Sequence, residues 1–299
     1  MRILLCGASG FIGQEIATAL QQAGHTVAAR SRRSTPSLDF VRATSATDWA
    51  PHLPGIDAVI NAAGVLRDSR RAPLEAVHAT APIALFEACA RAGVRRVVQI
   101  SALGIDSNDT RYAQTKRAAD AHLLHLTQAG RLDGVVLRPS LVFGVGGASS
   151  RLFHALSHLP WLLLPRPVMQ ARVQPLAVAE LAEAVTALVT APERRGLLEL
   201  GGPQALTLAD FIASLRAQRG DPPARVLALP GWATHLSARA GDHLPGSPWC
   251  RETLALLATD NVAALTTLSA LLGRPATSPG ALLATLAPAH SAGQSVPAR

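Results

Sequence analysis

Short apolar runs alternate with longer helical patterns through the first half of the chain. The runs that predict strands lie at 3–6, 26–29, 38–41, 57–61, 94–100 and 134–137, and helical patterns occupy about 10–23, 73–92 and 111–129. Strands that are apolar along their whole length are typical of a parallel sheet covered by helices on both faces. The pattern therefore predicts an α/β fold, a Rossmann-type doubly wound parallel sheet.

The regular alternation of predicted strands and helices becomes less clear after residue 145. Helical patterns at about 149–158, 179–190, 207–219 and 252–287 are separated by proline-containing stretches, and further strands are predicted at 197–200 and 226–229. We therefore expect a dinucleotide-binding core at 1–145, a smaller C-terminal substrate-binding or lid region at 146–287 that completes the sheet, and a flexible tail at 288–299.

A glycine-rich turn joins the first predicted strand to the first helix, in the sequence Gly7-Ala8-Ser9-Gly10-Phe11-Ile12-Gly13. Glycines here allow a tight turn and a close approach of the backbone to a pyrophosphate, which then lies at the helix N-terminus. Because a strand precedes the motif and a helix follows it, a dinucleotide site is favoured over a simple turn. The predicted cofactor contacts in this turn are Gly7, Ser9, Gly10, Phe11, Ile12 and Gly13.

The second strand is followed by Arg30-Ser31-Arg32-Arg33, where NAD-selective sites usually carry an acidic residue. Guanidinium groups match a phosphate in charge and geometry. We therefore predict NADP(H), with Arg30 and one of Arg32 or Arg33 on the 2′-phosphate; NAD(H) and a solvated basic loop are the alternatives. Further cofactor contacts are predicted at Asp39, Phe40, Asn61, Ala62, Ala63 and Gly64.

The single tyrosine and the single lysine of the chain, Tyr112 and Lys116, lie four residues apart, although lysine and arginine together number 28. Residues at this spacing share one face of a helix. An adjacent ammonium favours the phenolate and lowers the tyrosine pKa from about 10. Such a phenol can protonate a carbonyl as hydride arrives, or accept a proton from an alcohol.

A serine, Ser101, ends the strand predicted at 94–100, at the sheet edge where ligands bind in such folds. Its hydroxyl can hold a substrate oxygen beside Tyr112. Taken singly, a surface tyrosine–lysine pair or a strand-end serine has a structural explanation. Together and in this order, Ser101, Tyr112 and Lys116 predict a reductase site.

These motifs resemble, in identity and order, those of the short-chain dehydrogenase/reductase superfamily. Gln99-Ile100-Ser101-Ala102-Leu103-Gly104 and the segment 137–144 are most similar to its atypical branch, which includes the NADPH-binding accessory subunit of respiratory complex I and bacterial epimerase/dehydratase-like proteins. The resemblance covers about residues 1–202. It implies that Tyr112 is the general acid/base, that Lys116 is its partner, that Ser101 orients the substrate, and that Pro139 and Ser140 flank the nicotinamide.

The chain departs from this family pattern at Cys6, where threonine is usual, and at His78, which stands at the place of a helix asparagine. Only ten residues separate Ser101 from Tyr112, which leaves little room for a substrate-binding insertion.

The leading functional prediction is an NADP(H)-dependent oxidoreductase that transfers hydride to or from a carbonyl or alcohol substrate. One alternative is an NADPH-binding but catalytically quiet accessory, regulatory or redox-sensing protein. Another is a nucleotide-sugar epimerase or dehydratase, which the arginines after the second strand disfavour. The segment 161–165, with Trp232 and Trp249, is a candidate lining for an apolar or quinone-like substrate; plain lid core is the alternative.

Composition and charge narrow the classes of function and cellular location that remain. The net charge of +8 is scattered rather than clustered, which argues against nucleic-acid binding. Cys6, Cys89 and Cys250 lack metal-site spacing and fit reduced thiols, so we expect no metal and a cytoplasmic location. No apolar run reaches the roughly 18 residues of a membrane span. Peripheral membrane contact through 161–165 and the oligomeric state stay open.

Overall fold

The computed structural model describes residues 1–31, 38–244 and 249–286. In chain order its strands and helices are β1 (Arg2–Cys6), α1 (Phe11–Gln22), β2 (Thr26–Arg30), α2 (Ala46–Trp49), β3 (Ala58–Asn61), α3 (Ala81–Ala92), β4 (Arg96–Ile100), α4 (Arg111–Gln128), β5 (Asp133–Pro139), β6 (Val142–Phe143), α5 (Ala148–Ser157), β7 (Trp161–Pro165), α6 (Arg166–Gln170), β8 (Arg172–Val173), β9 (Leu176–Ala177), α7 (Val178–Val189), β10 (Gly196–Leu200), β11 (Leu206–Thr207), α8 (Leu208–Gln218), β12 (Arg225–Leu229), α9 (Gly231–His243), α10 (Arg251–Leu256) and α11 (Thr267–Leu272). A π-helical turn, Ala76–Thr80, precedes α3.

Six parallel strands form the central sheet in the order β10-β5-β4-β3-β1-β2. The prediction of a Rossmann-type α/β fold is confirmed. Cys6 pairs in register with Arg30 on one side and with Asn61 on the other, and Asn61 pairs with Gln99. The carboxyl ends of β1 to β4 therefore meet at one edge of the sheet, which is where such folds bind ligands.

Helices cover both faces of this sheet, as the apolar strands require. In β1, Leu4 belongs to one core with Trp49 and Phe86, while Ile3 belongs to the other core with Ile16. A third apolar cluster lies under α5 and α8, apart from the sheet. Within the described residues, no helix combines the length and the apolar character needed to cross a bilayer.

The strand predicted at 38–41 is wrong. The Asp39 side chain accepts a hydrogen bond from the Val41 amide, and the Asp39 carbonyl accepts bonds from the amides of Arg42 and Ala43. These local bonds form a turn, which competes with strand pairing because an aspartate side chain can bond its own backbone.

The second half differs from the predicted pattern in two further ways. The strand at 226–229 forms within β12, but it pairs with β7 rather than with the central sheet. The helix predicted at 252–287 is divided into α10, α11 and a 3-10 turn at Pro279–Leu286, because Gly273 ends α11 with a φ of +66° and prolines follow.

A buried arginine ties the central sheet to the helix behind it. Arg96, at the start of β4, is 5% exposed, and its Nε donates to the Leu188 carbonyl of α7 at 3.0 Å. One terminal nitrogen also donates to the carbonyls of Asp133 and Arg194 at 2.9 and 3.0 Å. The neighbouring Arg95 is exposed and pairs with Asp133 at 3.1 Å.

We expect Arg96→Met to lower the free energy of unfolding by about 3 kcal/mol, because buried carbonyls would lose charged donors. The matched change Arg95→Met removes an exposed ion pair and should lower the free energy of unfolding far less, because exposed ion pairs contribute little to stability. Urea denaturation of both variants measures the difference, and equal losses would contradict the role given to Arg96.

Candidate active site

The turn between β1 and α1 requires glycine at two positions. Gly7 has a φ of +78°, and a Cβ on it would lie 2.6 Å from the Ala63 amide nitrogen. A Cβ on Gly13 would lie 2.1 Å from the Gly7 carbonyl oxygen. The α1 N-cap, Gly10, makes no side-chain cap bond, so the first-turn amides are not capped by a side chain. The turn therefore has the close packing and the open helix N-terminus of an anion cradle.

A cleft at the carboxyl edge of the sheet consists of two adjoining cavities. The first, of about 520 Å³, lies beside this glycine turn. Of the predicted cofactor residues, Gly7, Ser9, Gly10, Asp39, Phe40, Ala62, Ala63 and Gly64 line it. Arg71 lines it as well, and sequence reasoning missed this residue because nothing in its local pattern ties it to the turn. The sequence predictions at Arg32 and Arg33 lie outside the described residues. The Arg30 guanidinium donates to His52 Nδ1 at 3.3 Å and to the Ala29 carbonyl at 2.8 Å.

The other half is a cavity of about 500 Å³ that shares Gly10 and the segment 62–65 with the first, so the two form one continuous cleft. The residues predicted for catalysis and for the nicotinamide end come together here; Phe11, Ile12, Ser101, Tyr112, Lys116, Pro139 and Ser140 all line it. Asn61 lies beneath the wall, fully buried, where it donates to Gln99 and accepts from the Ala63 amide. Its side chain supports the residues that line the cleft from behind and does not itself form part of the cleft surface.

Three polar side chains on α4 follow one another at intervals of four residues: Tyr112, Lys116 and Asp120. The Lys116 ammonium is 4% exposed, donates to the Ile100 carbonyl at 3.0 Å and lies 3.5 Å from where a Cβ on Gly64 would be. Burial lowers the pKa of Lys116 to about 8, against the opposing effect of Asp120. The lysine is thus held against the cleft wall and is still mostly charged at neutral pH.

Asp120 anchors this face of α4 to the sheet. Its Oδ2 accepts a hydrogen bond from the Ser101 hydroxyl at 2.7 Å and another from Arg138 Nε at 2.9 Å. Arg138 also pairs with Asp106. Burial raises the Asp120 pKa, while Ser101 and Arg138 oppose that rise. Sequence reasoning missed Asp120, although the i, i+4 spacing from Lys116 was a signal that would have found it.

The Ser101 hydroxyl proton therefore points to Asp120. Its oxygen keeps lone pairs and lies on the cavity wall, although the residue is only 5% exposed. The predicted contact of Ser101 with substrate stays a prediction. In the present geometry the hydroxyl can accept a hydrogen bond from an alcohol, but it has no second proton to donate to a carbonyl.

Tyr112 is held at the start of α4 by two elements. Thr110 caps the helix by accepting from the Ala113 amide, and the Glu252 carboxylate accepts from the Tyr112 amide at 2.7 Å. The expected lowering of the tyrosine pKa is wrong for this structure. Burial, with the negative charges of Asp120 and Glu252, raises the pKa of Tyr112 to about 12. Desolvation disfavours the charged phenolate and is the largest cause of the rise.

His78 lies behind the tyrosine, in the π-helical turn. Its ring packs edge-on against the Tyr112 ring with centroids 5.1 Å apart, and its Nε2 accepts from the Val65 amide at 3.0 Å. Its Nδ1 lies 3.3 Å from the Thr115 hydroxyl. Burial and the Lys116 charge lower the pKa of His78 to about 2, so the ring is neutral and positions both the tyrosine and the cleft wall.

Pro139 and Ser140 close the far side of the cleft, where the chain returns from β5. The Ser140 hydroxyl donates to the Asn261 carbonyl at 2.8 Å and accepts from the Gln174 amide at 3.0 Å. Asn261 in turn donates to the Leu103 carbonyl at 2.7 Å. Asn261, from the C-terminal part of the chain, thus joins the loops after β4 and β5, and Ser140 is buried where these loops meet.

A parallel sheet of this order, with a glycine turn after its first strand and a tyrosine and lysine one turn apart beside the cleft, defines a protein of the short-chain dehydrogenase/reductase superfamily. Within it, the chain belongs to the NAD dependent epimerase/dehydratase family, whose profile matches residues 3–195. The resemblance inferred from the motifs is confirmed.

Known relatives differ in their chemistry. A 3-diazoavenalumate denitrifying reductase from a Streptomyces species is 28% identical over 257 residues, which cover 76% of this chain and 84% of that protein. The structure of MoeE5 with UDP-glucose and NAD matches with a TM-score of 0.70 at 21% identity, over 95% of this chain and 97% of the other. Human epimerase family protein SDR39U1, solved with NADPH, matches with a TM-score of 0.70 at 20% identity, over 95% and 98%. The structural matches show the same fold.

The depressed histidine pKa makes stability depend on pH. Below about pH 6.5 the unfolded chain protonates His78, whereas the folded protein does not until about pH 2, so the free energy of unfolding falls as pH falls. Relative to His78→Asn, the wild type should lose about 2 kcal/mol between pH 6 and pH 4.5. The measurement is urea denaturation across that range. Parallel curves for wild type and His78→Asn would contradict the neutral buried histidine.

Proposed function

We propose that this protein is a nicotinamide-dependent oxidoreductase that reduces a carbonyl substrate, or oxidises the corresponding alcohol, with Tyr112 as the proton donor. The observation that carries the proposal is the single cleft in which Tyr112 and Lys116 face the same space as the glycine turn. A proton donor and a dinucleotide cradle along one cleft are what hydride transfer to a carbonyl requires.

The residues of the cleft fit a dinucleotide. Gly7, Gly10 and Gly13 leave room where side chains would collide, and the start of α1 offers amides to a pyrophosphate. Ser9, Phe11 and Ile12 would support this part, Asp39 and Phe40 the adenine, and Pro139, Ser140 and Lys116 the nicotinamide end. When bound, the reduced nicotinamide supplies the hydride.

The high tyrosine pKa keeps Tyr112 in the protonated form that carbonyl reduction needs. A phenol with a pKa of about 12 remains protonated across the neutral range, so Tyr112 can donate a proton to a carbonyl oxygen. The Lys116 charge then stabilises the phenolate that the transfer leaves behind. His78 holds the tyrosine ring, and Ser101 keeps Asp120 in place while its oxygen accepts from the alcohol product.

The reductase relative supports this reaction class. A second candidate, epimerisation of a nucleotide sugar, is favoured by the family and by the UDP-glucose in the MoeE5 structure. Both reactions would use Tyr112, and they differ in whether the cofactor is consumed. Net oxidation of NADPH by a carbonyl supports the proposal, whereas interconversion of UDP-sugars without net change in cofactor supports the second candidate.

We expect Tyr112→Phe to lower kcat for NADPH-dependent carbonyl reduction by about 10²–10⁴, because the change deletes only the proton donor. Cofactor affinity should change less than about twofold, since the ring remains. Steady-state NADPH oxidation with a panel of aldehydes, ketones and quinones measures the first quantity, and fluorescence titration measures the second. Gln114→Ala, on the exposed face of α4, is the control. Full activity in Tyr112→Phe with an established substrate refutes this mechanism, and tightly bound NADPH without any turnover would favour a quiet accessory protein.

The arginine cluster after β2 also supports a preference for NADP(H) over NAD(H). We expect the double variant Arg32→Ser/Arg33→Ser to weaken NADPH binding at least tenfold, as the loss of a charge-assisted bond to phosphate predicts. NADH binding should stay within about twofold. Arg91→Ser, an exposed arginine at the end of α3, is the matched control. Tighter binding of NADH than NADPH by the wild type would contradict the preference.

A further inference from the structure

A second cavity of about 400 Å³ adjoins the catalytic end of the cleft. Its walls come from several elements of the second half of the chain, including Leu152 and Phe153 of α5, Leu164 of β7, Ile212 of α8 and Leu256 of α10. We propose that this chamber, hereafter the apolar chamber, binds the hydrocarbon portion of a substrate whose carbonyl lies at Tyr112. The inference rests on the proposed function and specifies its substrate class.

The apolar chamber opens into the catalytic cavity. Leu66, Leu141, Ser149, Leu256 and Leu257 line both spaces, so no intact wall separates them. A molecule whose polar end is placed at Tyr112 can therefore extend past Ser149 into the chamber. This continuity distinguishes the chamber from a packing defect in an isolated core.

The chemistry of the lining excludes a highly charged occupant. Within the described part of the chain, no charged side chain lines the chamber. A nucleotide diphosphate needs guanidinium or ammonium partners when it leaves water, because a buried unpaired charge is strongly unfavourable. The chamber is therefore unsuited to the UDP group bound by the nucleotide-sugar neighbours.

Three of the four polar side chains that line the chamber are already bonded within the protein. The Trp249 indole donates to the Ser237 hydroxyl at 3.2 Å, and Ser237 donates to the Thr234 carbonyl at 2.8 Å. The Thr253 hydroxyl donates to the Cys250 carbonyl at 3.0 Å. What these side chains present to a ligand is mainly apolar surface.

The volume fits a hydrocarbon chain or ring system of moderate size, since small-molecule sites usually enclose roughly 300–1,000 Å³ and are lined mostly by apolar side chains. Burial of each methylene in such a space contributes a fixed increment of affinity. The substrate class that matches both cavities is a carbonyl compound with an aliphatic, isoprenoid or aryl tail and no phosphate on that tail.

Part of the predicted apolar lining lies along the chamber and part does not. Leu163, Leu164, Pro165 and Trp249 line the chamber. Trp161 and Trp232 are 54% and 73% exposed and do not line it. Trp161 is on the outer face of the β7–β12 pair, where Arg225 stacks on its ring at 4.9 Å.

The test is a binding series with 1-alkanols from butanol to decanol, measured by calorimetry at saturating NADP⁺ on wild type and on Tyr112→Phe. We expect Kd to fall roughly fourfold per added methylene, until the chamber is filled. Leu152→Arg, a half-buried position on α5 that lines the chamber, should weaken octanol binding at least tenfold and flatten the series. Leu236→Arg, an exposed apolar position of α9 outside the lining, should match the wild type.

A second variant keeps the test decisive if Leu152→Arg does not fold, as judged by circular dichroism. Ser149→Phe narrows the passage without introducing a charge, and it should shorten the chain length at which affinity stops increasing. Equal affinity for butanol and octanol, or octanol binding unchanged in both lining variants, overturns the inference. Chain-length-dependent alkanol binding without turnover of any alkanal would instead support the chamber and refute the proposed reaction, so the two failures are distinguishable.

Discussion

The site depends on a single buried carboxylate that joins three elements. Asp120 of α4 accepts hydrogen bonds from Ser101 at the end of β4 and from Arg138 of β5, at 2.7 and 2.9 Å. Because Lys116 and Tyr112 lie one and two turns earlier on the same helix face, this anchor sets the rotation of α4 about its axis. Removal of either donor would leave a buried charge short of a partner, which is among the more costly changes a core can suffer.

The same carboxylate explains why the electrostatics of the site differ from those of an isolated tyrosine–lysine pair. Its negative charge raises the pKa of Tyr112, in the same direction as burial, and opposes the burial that lowers the pKa of Lys116. The outcome is a neutral phenol beside a mostly charged ammonium. Such a pair is suited to donate a proton and then to hold the resulting anion, whereas a preformed phenolate would suit alcohol oxidation.

Local sequence patterns predicted those features of the structure that depend on residues close together in the chain. The glycine turn, the parallel strands and the tyrosine–lysine spacing depend on contacts within a few residues or on one helix face, and the structure contains them. The sequence did not predict the turn at Asp39, because a run of apolar residues hid an aspartate that bonds its own backbone. The sign of the Tyr112 pKa shift depends mainly on burial, and the contact from Glu252 comes from a residue 140 positions away, so no local pattern reveals either.

The part of the chain that carries the family motifs and the part beyond it differ in which portion of a substrate they would contact. The family profile matches residues 3–195, which include the glycine turn and Tyr112. The apolar chamber takes much of its wall from beyond that limit, from Ile212, Leu229 and Leu256 among others. Under the proposed function, the hydride chemistry would depend on residues within the family match, whereas the substrate tail would also contact residues beyond it. Under the proposed function, a chain of the epimerase/dehydratase family would accept a hydrocarbon tail, because its second half lines the chamber with leucines and other apolar side chains.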